Sequence, residues 1–119
     1  MDATEQIRQV VGAWPDVTEE PARFGGVGFR AHGREIGHLH AGGVADFRFP
    51  AAIGALLVRE GKARPHHTVR DSGAVSLPIH DRDAIADALA LFRLAFDLAV
   101  ASRGACDHAT GGERQIDEG

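Results

Sequence analysis

The sequence predicts an α+β fold in which an antiparallel sheet of four to five strands carries helices on one face. Apolar residues recur with helical spacing at both ends of the chain, whereas its middle consists of short alternating segments separated by glycine. Such short glycine turns join consecutive strands only as antiparallel pairs, and helices must then cover the apolar face of the sheet. The predicted order is helix, three or four strands, helix, strand and helix.

The first helix is predicted from the spacing of Ile7, Val10, Val11 and Trp14, and Pro15 ends it. Three strands of a meander follow, because bulky residues alternate with polar ones between glycine turns. These strands are expected at residues 24–30, 34–40 and 44–49.

A second, short helix is predicted after Pro50, with an apolar stripe that ends before Gly61. The alternation that starts at Val75 predicts another strand, in which Pro78 indicates an edge position or a bulge. A long last helix with two apolar stripes follows an N-cap at Asp81 and is expected to end near Gly104. Residues 1–102 are thus predicted to form one domain, and 103–119 a flexible tail with little apolar content.

Composition excludes several classes of function. The 119 residues are 44% hydrophobic and 25% charged, which is typical of one soluble domain, and the formal net charge of −4 argues against nucleic-acid binding. No stretch approaches the ~20 apolar residues that cross a bilayer. The single cysteine, Cys106, indicates a reducing compartment. We therefore expect a cytoplasmic monomer or homodimer that binds neither nucleic acid nor membrane.

Histidines are the main candidates for chemistry. His38 and His40 are two residues apart on a predicted strand, so both imidazoles leave the same face roughly 7 Å apart. Such a pair is typical of a metal or proton-transfer site, and equally of solvent-facing residues on an open sheet. Of the neighbouring pair His66 and His67, only one is expected to join them, and we favour His67. Three imidazoles with an open position would suit zinc, iron or copper.

Two carboxylates, Asp46 and Asp71, lie nearest to these histidines in sequence. A carboxylate beside an imidazole fixes its tautomer and raises its pKa, which is an arrangement suited to proton abstraction. The segment that begins with Asp71 and Ser72 is also typical of a turn.

The ordered motifs Gly37-His38-Leu39-His40, Asp46-Phe47-Arg48-Phe49-Pro50 and His66-His67 followed by Ser72-Gly73 resemble those of small bacterial luciferase-domain proteins. This family also includes the luciferase of bioluminescent fungi, and the resemblance extends over roughly residues 4–100. Ala74 stands where the family often has tryptophan. The order of elements is similar, in addition, to that of frataxin-like, double-wing proteins.

The resemblance implies oxidation of a hydroxylated pyrone, such as 3-hydroxyhispidin, with molecular oxygen as co-substrate and without flavin or nucleotide. Catalytic roles are expected for His38, His40, His67 and Asp46, with His38 or His40 as the base. Contacts with the small aromatic or pyrone-like substrate are expected from Arg34, Arg48, His66, Asp71 and Ser72, with an arginine beside the enolate.

Three hypotheses therefore stand. The first is a luciferase-like protein that binds such a molecule and oxidises it by histidine base catalysis. The second is a protein that binds a divalent metal through His38, His40 and His67. The third is a binding or interaction module without catalysis, whose histidines are spread over the surface.

Overall fold

The computed structural model describes residues 2–66 and 73–112, except for the side chains of Phe24 and of residues 103–112. It confirms the α+β class and the predicted order of elements, with three helices and a six-stranded sheet. The helices are α1 (Ala3–Gly12), α2 (Ala51–Arg59) and α3 (Arg82–Gly112). The strands are β1 (Val17–Pro21), β2 (Val27–Ala31), β3 (Arg34–His40), β4 (Val44–Arg48), β5 (Arg64–Pro65) and β6 (Ala74–Pro78).

The sheet has the order β1-β2-β3-β4-β6-β5, and every neighbouring pair is antiparallel. Strands β2 to β4 form the predicted meander, although a short 3-10 turn at Arg23–Gly25 delays the start of β2 to Val27. Strand β1 extends the meander by one strand, for which the sequence predicted no position. The sixth strand, β5, was not predicted, because two residues that include a proline carry no alternation to detect.

Pro78 lies on an internal strand of the sheet, not on its edge. Strand β5 pairs only with Val75 and Ser76, so β6 extends beyond its neighbour before it reaches Pro78. A proline is tolerated there because no strand on that side needs its missing N–H.

One hydrophobic cluster lies between the sheet and the helices, and all three helices contribute to it. Its largest fully buried side chains are Phe29, Phe92, Ile7, Ile36, Leu39, Val11 and Val75. Within β4, Ala45 and Phe47 face this cluster, so the alternating residue Asp46 faces the other side of the sheet. The fold therefore leaves one face of the sheet available for polar side chains.

Helix α3 begins as predicted but ends later. The Asp81 carboxylate accepts a hydrogen bond of 3.1 Å from the Ala84 backbone N–H, which is the expected N-cap. The helix then continues through Gly104 to Gly112. The predicted end at Gly104 is wrong, because an interior glycine costs a helix only about 1 kcal/mol and does not end it. The division into a domain of residues 1–102 and a tail stays a prediction.

No helix in the described part of the chain combines the length and apolar character needed to cross a membrane.

Substituting Gly37 by alanine should destabilise the fold. A Cβ at this position would lie 2.7 Å from Phe92 Cε1 and 2.9 Å from Phe47 Cδ1, both in the core. Overpacking of this kind costs about 1–3 kcal/mol. Urea denaturation should show that loss for Gly37→Ala, whereas Gly42→Ala, with nothing within 4 Å of the new Cβ, should unfold like the wild type. Equal stability of the two variants would contradict the close packing around Gly37.

Candidate functional site

The face of the sheet opposite the helices carries a row of polar side chains from three adjacent strands. His38 of β3 pairs with Asp46 of β4, and Asp46 pairs with Ser76 of β6. Directly opposed residues point to the same face, and His40 joins them because it follows His38 by two residues. The predicted common face of His38 and His40 is therefore present.

Asp46 lies at the middle of this row and is buried, with 6% of its surface exposed. Its Oδ2 atom lies 2.6 Å from His40 Nε2, 3.5 Å from His38 Nε2 and 3.5 Å from His66 Nε2. Its Oδ1 atom accepts a 2.5 Å hydrogen bond from the Ser76 hydroxyl. We call the set of Asp46, His38, His40 and His66 the Asp46 centre.

His66 reaches the centre because the short strand β5 sets its register. Arg64 pairs with Ser76, and the His66 backbone N–H donates to the Ala74 carbonyl at 3.1 Å, so the pairing continues one residue beyond β5. Alternation along this segment then turns His66 to the same face as Asp46. The sequence favoured His67 for this position, whereas the structure brings His66 to it. His67, Asp71 and Ser72 lie outside the described residues.

A β-bulge in β3 adds Glu35 to this face. Phe29 of β2 pairs with Gly37, but the next residue, Arg30, pairs with Glu35, so Ile36 is an extra residue on β3. The bulge turns Ile36 into the core and Glu35 to the open face. Glu35 Oε2 consequently lies 3.2 Å from His38 Nδ1. Without the bulge, strict alternation would place Glu35 and His38 on opposite faces.

The electrostatics of the centre favour an ionised Asp46. Burial alone would raise the pKa of this carboxyl, but hydrogen bonds from His38, Ser76 and His40 outweigh it and hold the pKa well below its usual range. The hydrogen bond with Asp46 raises the pKa of His38, and the nearby charge of Glu35 raises it further. Together they outweigh desolvation, which lowers it. The centre therefore combines a carboxylate anion with one imidazole, that of His38, whose pKa is raised.

Two concave regions meet at Asp46. On one side, a cavity of about 100 Å³ has Glu35, His38 and His66 in its wall. On the other, a wider cavity of about 390 Å³ is lined by His40, Ser76 and neighbouring residues of β4 to β6. Because Asp46 lines both, a small ligand can approach the centre from either side.

A third cavity, of about 730 Å³, lies beside the centre and is basic. Its lining includes three arginines, Arg30, Arg34 and Arg48, together with apolar residues such as Phe49 and, from α3, Leu98. In the described part of the chain, the side chains of Arg34 and Arg48 have no hydrogen-bond or ion-pair partner. Both Arg48 and Glu35 also line the small cavity at His38, so the basic cavity adjoins the Asp46 centre.

The structure thus places all six of the predicted site residues that it describes in the centre or in the adjoining cavity. His38, His40, His66 and Asp46 form the centre, and Arg34 and Arg48 share the adjoining cavity. Sequence reasoning missed Glu35, Ser76 and Arg30. Because Ser76 alternates with Val75 and Leu77, the sequence predicts which face of the sheet it occupies. That it lies beside Asp46 is known only from the pairing of β4 with β6. Glu35 reaches the open face only through the β-bulge, which no sequence pattern indicates.

Comparison with known proteins gives a match at the level of the family. The family model described as Luciferase domain matches residues 33–95, slightly more than half of the 119 residues. The matched segment extends from β3 to α3 and includes all members of the Asp46 centre and both predicted arginines. No curated protein and no solved structure matches the chain significantly.

Loss of the Ser76 hydroxyl should destabilise the protein through Asp46. Ser76→Ala removes the donor to Oδ1 and leaves a buried carboxylate oxygen short of one hydrogen bond, which costs about 1–3 kcal/mol. Chemical denaturation measures this loss. Thr18→Ala, which removes an exposed strand hydroxyl distant from the centre, is the matched control and should cost less. An unchanged free energy of unfolding in Ser76→Ala would show that this hydrogen bond does not support Asp46.

Proposed function

Because the chain belongs to the Luciferase domain family, we propose that it binds a small enolic aromatic molecule in the basic cavity beside the Asp46 centre and oxidises it with molecular oxygen. Membership of the family supports a small-molecule role. The proposal extends that role to a substrate class, a site and a reaction. The substrate class is a hydroxylated pyrone or a similar ring with an acidic enol.

The observation that carries the proposal is the contact between the Asp46 centre and the basic cavity. Arg48 lines both, two residues along β4 from Asp46, and its guanidinium has no partner in the described chain. An enolate beside Arg48 would gain a charge-assisted hydrogen bond. Its flat ring would lie on the apolar wall that Phe49 and Leu98 provide. The centre and the cavity thus match the polar and the apolar parts of one such molecule.

The reaction has three requirements that the Asp46 centre and the basic cavity can meet together. The enol must lose its proton, the resulting anion must be stabilised, and bulk water must be kept from the reactive ring. Molecular oxygen is the oxidant: it adds to the electron-rich carbon of the enolate, the adduct closes to a cyclic peroxide, and its breakdown releases carbon dioxide. The arginines stabilise the anion, and the Asp46 centre removes the proton from the enol.

The imidazoles can assist the loss of the enol proton in two ways. An imidazole oriented by Asp46 can accept the enol proton directly, which is the role that the sequence predicted for His38 or His40. Alternatively, the imidazoles hold a cation that binds the enol oxygen and makes its proton acidic. Both forms use the same substrate and the same cavity.

Arginine variants test where the substrate binds. A charge-assisted hydrogen bond contributes about 1.5–3 kcal/mol, so Arg48→Ala and Arg34→Ala should each weaken binding of hydroxylated pyrones roughly 10–100-fold. Isothermal titration calorimetry with a panel of hydroxypyrones, and with their O-methyl ethers as non-ionising controls, measures this. Arg59→Ala, at the exposed end of α2 and outside the cavity, should bind as the wild type does.

Oxygen uptake tests the reaction separately. Wild-type protein should consume oxygen in the presence of the pyrones that it binds, and the arginine variants should do so more slowly at limiting substrate. Binding without oxygen uptake across the panel would reduce the protein to a binding module. No binding of any hydroxypyrone, or equal binding by Arg48→Ala and the wild type, would refute the proposed substrate class or its site.

A further inference from the structure

We propose that the Asp46 centre binds one divalent transition-metal ion through Nε2 of His38, His40 and His66 and Oδ2 of Asp46. The binding of the ion needs no organic substrate and is argued from the geometry of these four side chains. It differs from the metal set expected from the sequence in two members, because His66 takes the place of His67 and Asp46 is added.

Convergence of the donor atoms is the first argument. One donor atom each from His38, His40 and Asp46 lie within 4.8 Å of one another. His66 lies outside this group of three, but its Nε2 is 3.5 Å from Asp46 Oδ2. In a tetrahedral centre with metal–ligand bonds of 2.0–2.2 Å, donor atoms are separated by about 3.3 Å. Small side-chain rotations would therefore bring the donors of His38, His40 and Asp46 to the separation that a metal requires, with His66 beside Asp46 as the fourth ligand.

The hydrogen-bonding capacity of Asp46 Oδ2 is the second argument. This oxygen has two lone pairs but faces three imidazole nitrogens, and only His40 Nε2 reaches a short distance of 2.6 Å. The nitrogens of His38 and His66 both remain at 3.5 Å. A cation between the four atoms would use the lone pairs of all three neutral imidazoles and of the carboxylate at once.

The groups behind the donors are the third argument. His38 turns its second ring nitrogen, Nδ1, to the Glu35 carboxylate at 3.2 Å, and Asp46 turns its second oxygen, Oδ1, to the Ser76 hydroxyl. Metal-bound histidines typically donate their other N–H to a carboxylate, and metal-bound carboxylates are themselves hydrogen-bonded. These two contacts hold Nε2 of His38 and Oδ2 of Asp46 toward the middle of the centre.

The donor set selects the class of ion. Three imidazole nitrogens and one carboxylate oxygen suit zinc and divalent iron, cobalt, nickel or copper, whereas magnesium and calcium prefer oxygen ligands. The cavities of about 100 and 390 Å³ leave the centre accessible from both sides of Asp46, and Arg48 lines the smaller one. An exchangeable ligand can therefore bind the ion from either side.

A bound ion also defines how the proposed substrate is held, and this step rests on the proposed function. A hydroxypyrone with an oxo group beside its enol oxygen is a bidentate ligand, so both oxygens can bind one cation. Coordination stabilises the enolate and lowers the pKa of the enol, as it does for metal-bound water. The released proton passes to solvent, and Arg48 lies on the side of the centre toward the basic cavity.

Metal titration without any organic ligand is the test. Full-length protein without a histidine tag is stripped with a chelator, dialysed, and titrated with Zn²⁺ by calorimetry and with Co²⁺ by visible absorption. We expect one ion per chain and the intense Co²⁺ absorption of four- or five-coordinate geometry. Removal of a ligand in His40→Ala should abolish this spectrum and weaken Zn²⁺ binding beyond the ~10–100-fold typical of outer contacts.

Two further variants make the test specific. Glu35→Gln should keep the Co²⁺ spectrum but weaken Zn²⁺ binding about 10–100-fold, because it perturbs only the contact behind His38. His80→Ala, which removes an exposed histidine outside the centre, should bind both ions as the wild type does. Circular dichroism of the metal-free variants checks that each one is folded, and His40 is exposed enough for its replacement to leave the core intact.

The outcomes separate this inference from the proposed function. Wild-type protein that binds neither ion, or His40→Ala and His80→Ala that bind Zn²⁺ equally, would overturn the metal site. Hydroxypyrone binding and oxygen uptake by such metal-free protein would leave the proposed function in place with an imidazole base. One bound ion per chain without any response to hydroxypyrones would instead support the metal site and refute the proposed substrate class.

Discussion

The site depends on the burial of one carboxylate, because a charge removed from water must be compensated by groups that the fold brings to it. Asp46 belongs to a central strand, so its neighbours are fixed by the pairing of β4 with β3 and β6. Those two strands supply His38, His40 and Ser76 in a single row. The interaction that stabilises the buried charge is therefore the same one that assembles the candidate site.

Core and site are opposite sides of the same strands. Asp46 and Phe47 are consecutive, as are Gly37 and His38, and in each pair one residue faces the helices and the other the open face. A side chain at position 37 would have no room, because the rings of Phe47 and Phe92 occupy the space that its Cβ would need. The positions of the imidazoles are thus determined by close packing on the far side of the sheet, which tolerates little displacement.

The sequence predicted the parts of this molecule that depend on local patterns. Alternation and glycine turns predicted the meander and the common face of His38 and His40, and helical periodicity predicted α1 and α3. Features that depend on pairing between distant strands were not predictable in this way: Glu35 needs the bulge opposite Phe29 and Arg30, and the choice of His66 needs the register of β5 on β6. A shift of one residue in strand register moves every side chain of that strand to the opposite face of the sheet. The face of a residue can therefore be predicted from sequence only where the register is known.

The four members of the Asp46 centre are not held equally firmly by the sheet. Asp46, His38 and His40 belong to strands paired on both sides, whereas His66 is held beside a strand of two residues at the edge of the sheet. Local opening is easiest where few backbone hydrogen bonds must break. Displacing His66 from Asp46 therefore breaks fewer strand hydrogen bonds than displacing His38 or His40. A ligand that reaches Asp46 from this edge requires no rearrangement in the middle of the sheet.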